Sequence, residues 1–169
     1  MSNRRASYHA PAGAARGVGP GTGRGRVHWG AMPVILVVED DLDTRQALGE
    51  YLTALFPDTR VVMTDSGETG LELALRTRPT VVLLDLRLRG IQGFEFAERF
   101  RSHSGPDVPI VALTGDMSPD TLLRAEEAGF AAFLRKPADM DRLEAVLRPL
   151  IEGGAPARPR PQGDTPSSR

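Results

Sequence analysis

The sequence predicts an α/β domain built around a doubly wound, five-stranded parallel sheet with the strand order 2-1-3-4-5. Five short apolar runs alternate with longer amphipathic stretches between residues 34 and 150. Two of these runs, Val34 to Val38 and Val81 to Leu84, are uninterrupted by polar residues, which is typical of strands buried on both faces. Because parallel strands require right-handed crossovers, five such units predict helices on both faces of one sheet.

The strand predictions rest on β-branched and aliphatic runs that are bounded by polar or turn-forming residues. In chain order the five strands are Val34 to Val38, Arg60 to Thr64, Val81 to Leu84, Pro109 to Leu113 and Phe130 to Arg135. The third strand ends at Asp85, the fourth is followed by Thr114, and the fifth is followed by Lys136. Polar side chains are therefore predicted at the carboxyl ends of neighbouring strands.

The helix predictions rest on apolar residues at helical spacing and on capping residues. The five helices are predicted at Leu42 to Phe56, Ser66 to Thr77, Phe94 to Phe100, Ser118 to Gly129 and Met140 to Leu150. Ser118-Pro119 is a strong start, since serine suits the N-cap and proline the first helical position. Gly129 suits the C-terminal cap of the same helix.

Composition divides the chain into a folded domain at residues 32–152 and two tails predicted to be disordered. Residues 1–31 form a basic Gly/Arg-rich tail, and residues 153–169 form a Pro-rich tail; both hold few large apolar residues. Removing the tail charges of +5 and +2 from the whole-chain net charge of −1 leaves −8 for residues 32–152. Such an acidic domain is not expected to bind nucleic acid or an anionic membrane unaided.

The chain has no cysteine and no apolar run long enough to cross a bilayer, so a cytoplasmic protein is predicted. It holds twenty arginines and a single lysine, Lys136. This bias suggests that Lys136 lies where a compact ammonium is needed and a guanidinium does not serve.

The predicted functional site lies at the switch point, beyond the carboxyl ends of the first and third strands. Glu39 and Asp40 follow the first strand, Asp85 ends the third, and Thr114 and Lys136 follow the next two. Taken singly, each could be a helix cap, a strand residue or a surface charge. Together, three carboxylates predict a hard divalent cation such as Mg²⁺, and the ammonium and hydroxyl suit a phosphoryl group.

Four segments, ILVVEDDLDTR, VVLLDLRLRGIQG, VPIVALTGD and FLRKPAD, lie in order at these strand ends. Together they resemble the receiver domains of bacterial two-component response regulators, over about residues 33–151. The single-domain chemotaxis-type regulators are the most similar architecture. The resemblance implies a flavodoxin-like (βα)5 fold and a phosphoprotein that acts in a phosphorelay.

The resemblance also implies roles for individual residues. Asp85 corresponds to the phosphoacceptor. Asp40 would bind Mg²⁺ directly and Glu39 largely through water, and Asp85 and the backbone carbonyl of Arg87 would complete the protein ligands. Three further residues match the family pattern.

Thr114 corresponds to the switch hydroxyl of the family, and Phe133 to its aromatic switch position. Lys136 corresponds to the invariant lysine and precedes Pro137, which is usually cis. One departure concerns the loop after the third strand, where family members often have proline and this chain has Arg89. This basic loop is expected to affect partner docking or the lifetime of the phosphoryl group.

The expected function is that of a stand-alone receiver that accepts a phosphoryl group from a histidine kinase or a histidine phosphotransfer protein. Such a domain is not an enzyme beyond promoting its own phosphorylation and dephosphorylation. Its output would pass to a partner protein through the fourth helix, fifth strand and fifth helix, with homodimerisation as one possibility.

Two alternatives belong to other functional classes. The first is a binding module that keeps this fold but is not phosphorylated. The second is a phosphatase of the haloacid dehalogenase type, which Asp41-Leu42-Asp43 resembles superficially. The second is disfavoured because Asp43 would lie inside the first helix.

Overall fold

A computed structural model describes residues 32–104 and 107–153. The two predicted tails, residues 1–31 and nearly all of 153–169, lie outside the described residues. No helix in the described part of the chain combines the length and apolar character that crossing a membrane would need.

Five strands and five helices alternate along the described residues, as predicted. The strands are β1 (Val34–Val38), β2 (Arg60–Thr64), β3 (Val81–Asp85), β4 (Ile110–Thr114) and β5 (Ala132–Arg135). The helices are α1 (Leu42–Leu55), α2 (Gly67–Thr77), α3 (Gly93–Ser104), α4 (Pro119–Glu127) and α5 (Met140–Ile151). All strands are parallel, and their order across the sheet is β2-β1-β3-β4-β5, which confirms the predicted fold class.

The sheet has a hydrophobic core on each face. On one face, α1 and α5 pack on it through side chains such as Leu48 and Leu147. On the other, α2, α3 and α4 pack on it through residues such as Phe96 and Ala125. All residues of β1, β3 and β4 are buried, so polar atoms of the site can reach solvent only at the strand ends.

Two strand boundaries differ from the sequence prediction. β5 begins at Ala132 because the Phe130 amide still bonds to the Ala125 carbonyl at the end of α4 (3.2 Å). β4 begins at Ile110 and extends to Thr114, one residue further along than predicted. Proline has no amide hydrogen for the ladder, which accounts for the later start after Pro109.

Candidate functional site

The strand register brings the predicted site residues to one edge of the sheet. Val38 on β1 pairs with Leu84 on β3. Glu39 and Asp85, the residues that follow this pair, therefore lie side by side. The Lys136 amide donates to the Thr114 carbonyl (2.8 Å), which continues the ladder between β4 and β5 past its last strand residues. The Lys136–Pro137 peptide bond is cis, as the resemblance implied.

Three carboxylates converge at this edge. One oxygen each from Glu39, Asp40 and Asp85 lies within 4.8 Å of the others. Glu39 and Asp85 are buried, with 0% and 4% of their surface exposed, while Asp40 lies at the rim. Carboxylate oxygens at this spacing are the kind of ligand that Mg²⁺ prefers. The acidic cluster therefore fits the predicted metal.

Lys136 lies between the two buried carboxylates. Its Nζ donates to Asp85 Oδ2 at 2.6 Å and lies 2.6 Å from Glu39 Oε2. The second contact is a buried ion pair. One ammonium thus faces two buried carboxylates, so the three groups together carry a net negative charge.

The pKa values of Glu39 and Lys136 reflect the presence of two buried carboxylates beside one ammonium. Burial raises the pKa of the Glu39 carboxyl above its usual value; the contact with Lys136 opposes this rise, and the Asp85 carboxylate adds to it. Burial lowers the pKa of Lys136, but its contacts with Asp85 and Glu39 outweigh this and leave the pKa raised. A further cation bound by the carboxylates would stabilise their ionised forms.

The start of α1 holds the two acids that follow β1. Asp41 caps this helix, since its Oδ1 accepts a hydrogen bond from the Thr44 amide (2.8 Å). Arg45, one turn into α1, donates from Nη1 to the backbone carbonyls of Glu39 (2.7 Å) and Asp40 (3.3 Å). Asp43 lies within the first turn of α1, which is inconsistent with a nucleophile motif at Asp41.

Thr114 does not face the carboxylates through a hydrogen bond. Its buried hydroxyl donates to the Asp116 carbonyl (3.1 Å) and accepts from the Asp116 amide (3.0 Å). Asp116 in turn accepts hydrogen bonds from the Ser118 amide (2.9 Å) and the Thr121 hydroxyl (2.9 Å), and these bonds lower the pKa of its carboxyl. The β4–α4 loop is thereby tied to the start of α4.

A cleft of about 360 Å³ opens beside this loop. Its walls include Arg87, Thr114 and Asp116 near the strand ends, and Phe94 and Arg124 on α3 and α4. The Arg124 guanidinium stacks on the Phe94 ring, 4.2 Å from its centroid. The cleft therefore connects the surroundings of Thr114 with the helices on that face of the sheet.

Phe133 is half-buried on β5, beside a row of aromatic rings. Its ring centroid is 5.8 Å from that of Phe130, which makes an edge-to-face contact with Phe94 (5.7 Å). Phe133 and Thr114 belong to adjacent strands, but the Phe133 ring does not line the cleft.

The loop after β3 provides two basic side chains. The Arg87 amide donates to Asp85 Oδ1 (2.9 Å), while its exposed guanidinium lies 3.7 Å from Asp116. Arg89 Nε lies 3.1 Å from Asp40 Oδ2. The metal-binding role predicted for the Arg87 carbonyl stays a prediction.

Residues 35–148 match the family model described as the response regulator receiver domain. The chain belongs to this family. Receiver domains are signalling domains of bacterial two-component systems, and phosphorylation and Mg²⁺ fit this family.

The chain spans about half the length of several curated relatives. The transcriptional regulatory protein AfsQ1 of Streptomyces coelicolor is 35% identical over 123 residues, which cover 73% of this chain and 53% of AfsQ1. The regulatory protein LuxO of Vibrio cholerae is 36% identical over 68% of this chain and 25% of its own length.

Solved receiver domains have the same fold. The signal receiver domain of a DNA-binding response regulator from Colwellia psychrerythraea is 28% identical, with a TM-score of 0.67 over 71% of this chain and 98% of its own. The receiver domain of a sensor histidine kinase from Pseudomonas aeruginosa is also 28% identical, with a TM-score of 0.64 over 72% and 99% of the two chains. That crystal structure has a magnesium ion in its active-site cleft.

The sequence interpretation missed two residues that organise the receiver site, Asp116 and Arg45. Asp116 precedes Ser118-Pro119 by two positions, a spacing typical of an Asx-turn that could have identified it. Arg45 is a long side chain whose partners depend on the path of the chain, so no local pattern indicates it. Arg89 stood out in the sequence as a departure from the family pattern, but its contact with Asp40 was not predicted.

Proposed function

We propose that Asp85 is the phosphoacceptor of this receiver domain and that Mg²⁺ is held by Glu39, Asp40, Asp85 and the Arg87 carbonyl. The observation that best supports this is the setting of the Asp85 carboxylate. Oδ2 is held by Lys136 (2.6 Å), Oδ1 by the Arg87 amide (2.9 Å), and two further carboxylates lie within 4.8 Å. The carboxylate is thus fixed, buried and part of the acidic cluster that fits Mg²⁺.

In the proposed reaction, an Asp85 oxygen attacks the phosphorus of a phosphohistidine. A phosphorus–oxygen bond forms as the phosphorus–nitrogen bond breaks, and the electron pair of that bond leaves with the imidazole. Bound Mg²⁺ supplies charge neutralisation for the transferred group. Lys136 already contacts the attacking carboxylate, so its ammonium can pair with a phosphoryl oxygen without moving far.

The phosphorylated state would differ from the present one at Thr114. Its one hydroxyl hydrogen is donated to the Asp116 carbonyl, so donation to a phosphoryl oxygen requires that bond to be released, whereas the bond accepted from the Asp116 amide can remain. That release would loosen the β4–α4 loop, and we propose that Phe133 and the α4–β5–α5 face then shift between two populations. The adjacent cleft gives the loop room to rearrange.

Receiver domains act with histidine kinases and output domains in two-component systems. For this chain we propose a histidine kinase or phosphotransfer protein as the donor, a partner protein that contacts the α4–β5–α5 face, and a cytoplasmic location. The expectation of a stand-alone receiver stays a prediction, because the chain spans 53% of AfsQ1 and 25% of LuxO.

The test is phosphoryl labelling with acetyl phosphate in the presence of Mg²⁺. The wild-type chain should take up label, Asp85→Asn should lose it, and Asp43→Asn, an exposed acid in α1, should behave as wild type. EDTA should abolish labelling. Labelling of Asp85→Asn at the wild-type level would show that the acceptor is another residue, and absence of labelling in the wild type would favour the unphosphorylated binding module.

A further inference from the structure

Arg89 lies against the carboxylate at the rim of the acidic cluster. Its Nε is 3.1 Å from Asp40 Oδ2, a hydrogen-bonded ion pair across 49 positions of sequence. The Asp40 side chain is 18% exposed and the Arg89 side chain 87% exposed. A positive charge of the chain itself therefore occupies the solvent side of a carboxylate that belongs to the proposed magnesium site.

The loop that carries Arg89 is held in place on its C-terminal side. Gly90 has a φ of 78°, and a Cβ added there would lie 2.6 Å from the Glu68 carboxylate. That carboxylate accepts a hydrogen bond from the Ile91 amide (3.1 Å). The Gly93 amide bonds to the Leu86 carbonyl (3.2 Å) and closes the loop. The backbone thus presents Arg89 within reach of Asp40.

A guanidinium in this position and a divalent cation compete for the same carboxylate. The oxygen that Arg89 contacts is one of only two that Asp40 can offer a metal. Two cations beside one carboxylate also repel each other, so the metal binds more weakly while the guanidinium stays there. Asp40 is the most exposed of the three acids, which makes it the ligand that a surface cation reaches.

We propose that Arg89 is an internal competitor of Mg²⁺ at Asp40, which lowers the affinity of the receiver for the metal and moves away from Asp40 when the metal binds. This inference rests on the magnesium site of the proposed function. It assigns an effect on metal affinity to Arg89, the position where family members often have proline. The metal occupancy of the site then depends on a side chain outside the ligand set.

The size of the effect follows from the exposure of Arg89. Exposed ion pairs contribute little, so removal of the competitor should lower the dissociation constant for Mg²⁺ by about two- to fivefold. Salt screens exposed charges, so the difference between wild type and variant should shrink as ionic strength rises.

Isothermal titration with MgCl₂ measures the affinity without any phosphoryl donor. The variant Arg89→Gln keeps a polar side chain but removes the positive charge. It should bind Mg²⁺ about two- to fivefold more tightly, as expected for the loss of an exposed ion pair. Arg99→Gln is the matched control, since Arg99 is also an exposed arginine in an ion pair, 2.6 Å from Glu95 on α3. It should leave the affinity unchanged.

A second pair of variants separates competition at Asp40 from a general loss of charge. In an Asp40→Asn background, Arg89→Gln should no longer tighten binding. An unchanged Mg²⁺ affinity in Arg89→Gln would refute the inference while leaving the magnesium site intact, and so would an equal gain with and without Asp40. Failure of the wild type itself to bind Mg²⁺ would instead overturn the site on which the inference depends.

Discussion

Lys136 offers the sharpest test of how the site is balanced. We expect Lys136→Met to destabilise the metal-free domain, because the substitution removes the one ammonium that faces Glu39 and Asp85, 2.6 Å from an oxygen of each. Glu39 and Asp85 would remain as buried carboxylates, with side chains 0% and 6% exposed. Methionine keeps most of the side-chain volume, so the change isolates the charge.

The expected magnitude follows from the burial of the three groups. Removing one partner of a buried ion pair costs about 3–5 kcal/mol. The Lys136 side chain is 24% exposed, so water can replace part of its interaction, and we take the lower end, a loss of about 3 kcal/mol in the free energy of unfolding. For a small domain, this corresponds to a fall of about 1–3 M in the urea midpoint.

The assay is urea unfolding followed by far-ultraviolet circular dichroism in EDTA. Glu39→Gln added to Lys136→Met should recover part of the lost stability, since one buried negative charge then disappears. Mg²⁺ should stabilise Lys136→Met in proportion to its binding to the folded state. If Lys136→Met unfolds at the wild-type urea concentration in EDTA, the reasoning that Lys136 compensates the two buried acids is wrong.

Three further substitutions probe the loops after β3 and β4 and the C-terminal end of α4. Gly90→Ala should cost about 1–2 kcal/mol, because an L-residue is strained at a φ of 78°. Gly115→Ala, which would meet no atom within 4 Å, should change the urea midpoint little, and equal effects would contradict this account. Arg101→Ala should cost about 1–2 kcal/mol in the same assay, because the Arg101 guanidinium donates to the Ala128 carbonyl at the end of α4 (3.1 Å). A wild-type midpoint in Arg101→Ala would show that this cap is energetically neutral.

The fold could be predicted from the sequence because its determinants are local. Continuous apolar runs mark β1 and β3, and the Ser118-Pro119 pair marks the start of α4 where the structure has it. The start of β5 could not be predicted as well, since an apolar residue such as Phe130 fits either a strand or the turn before it. Its amide donates to the Ala125 carbonyl of α4, and the sequence does not show whether this amide bonds to the helix or to a neighbouring strand.

The candidate site was predictable in its members but not in its internal contacts. Topology alone brings Glu39, Asp85 and Lys136 to one edge of the sheet, because they follow or end parallel strands whose carboxyl ends lie at the same edge. That the Thr114 hydroxyl bonds to the Asp116 backbone, and that Arg89 reaches Asp40, depends on rotamers and loop paths. Such contacts are set by three-dimensional packing rather than by spacing along the chain.

The Arg45 clamp has a consequence for local stability. Arg45 on α1 donates hydrogen bonds to the backbone carbonyls of Glu39 and Asp40. Fraying of the first helical turn would therefore release the backbone that carries both acids. We thus expect opening of the helix end to be energetically coupled to loosening of the acidic cluster. A ligand that binds the cluster should therefore slow amide hydrogen exchange in the first turn of α1, beyond the residues it touches.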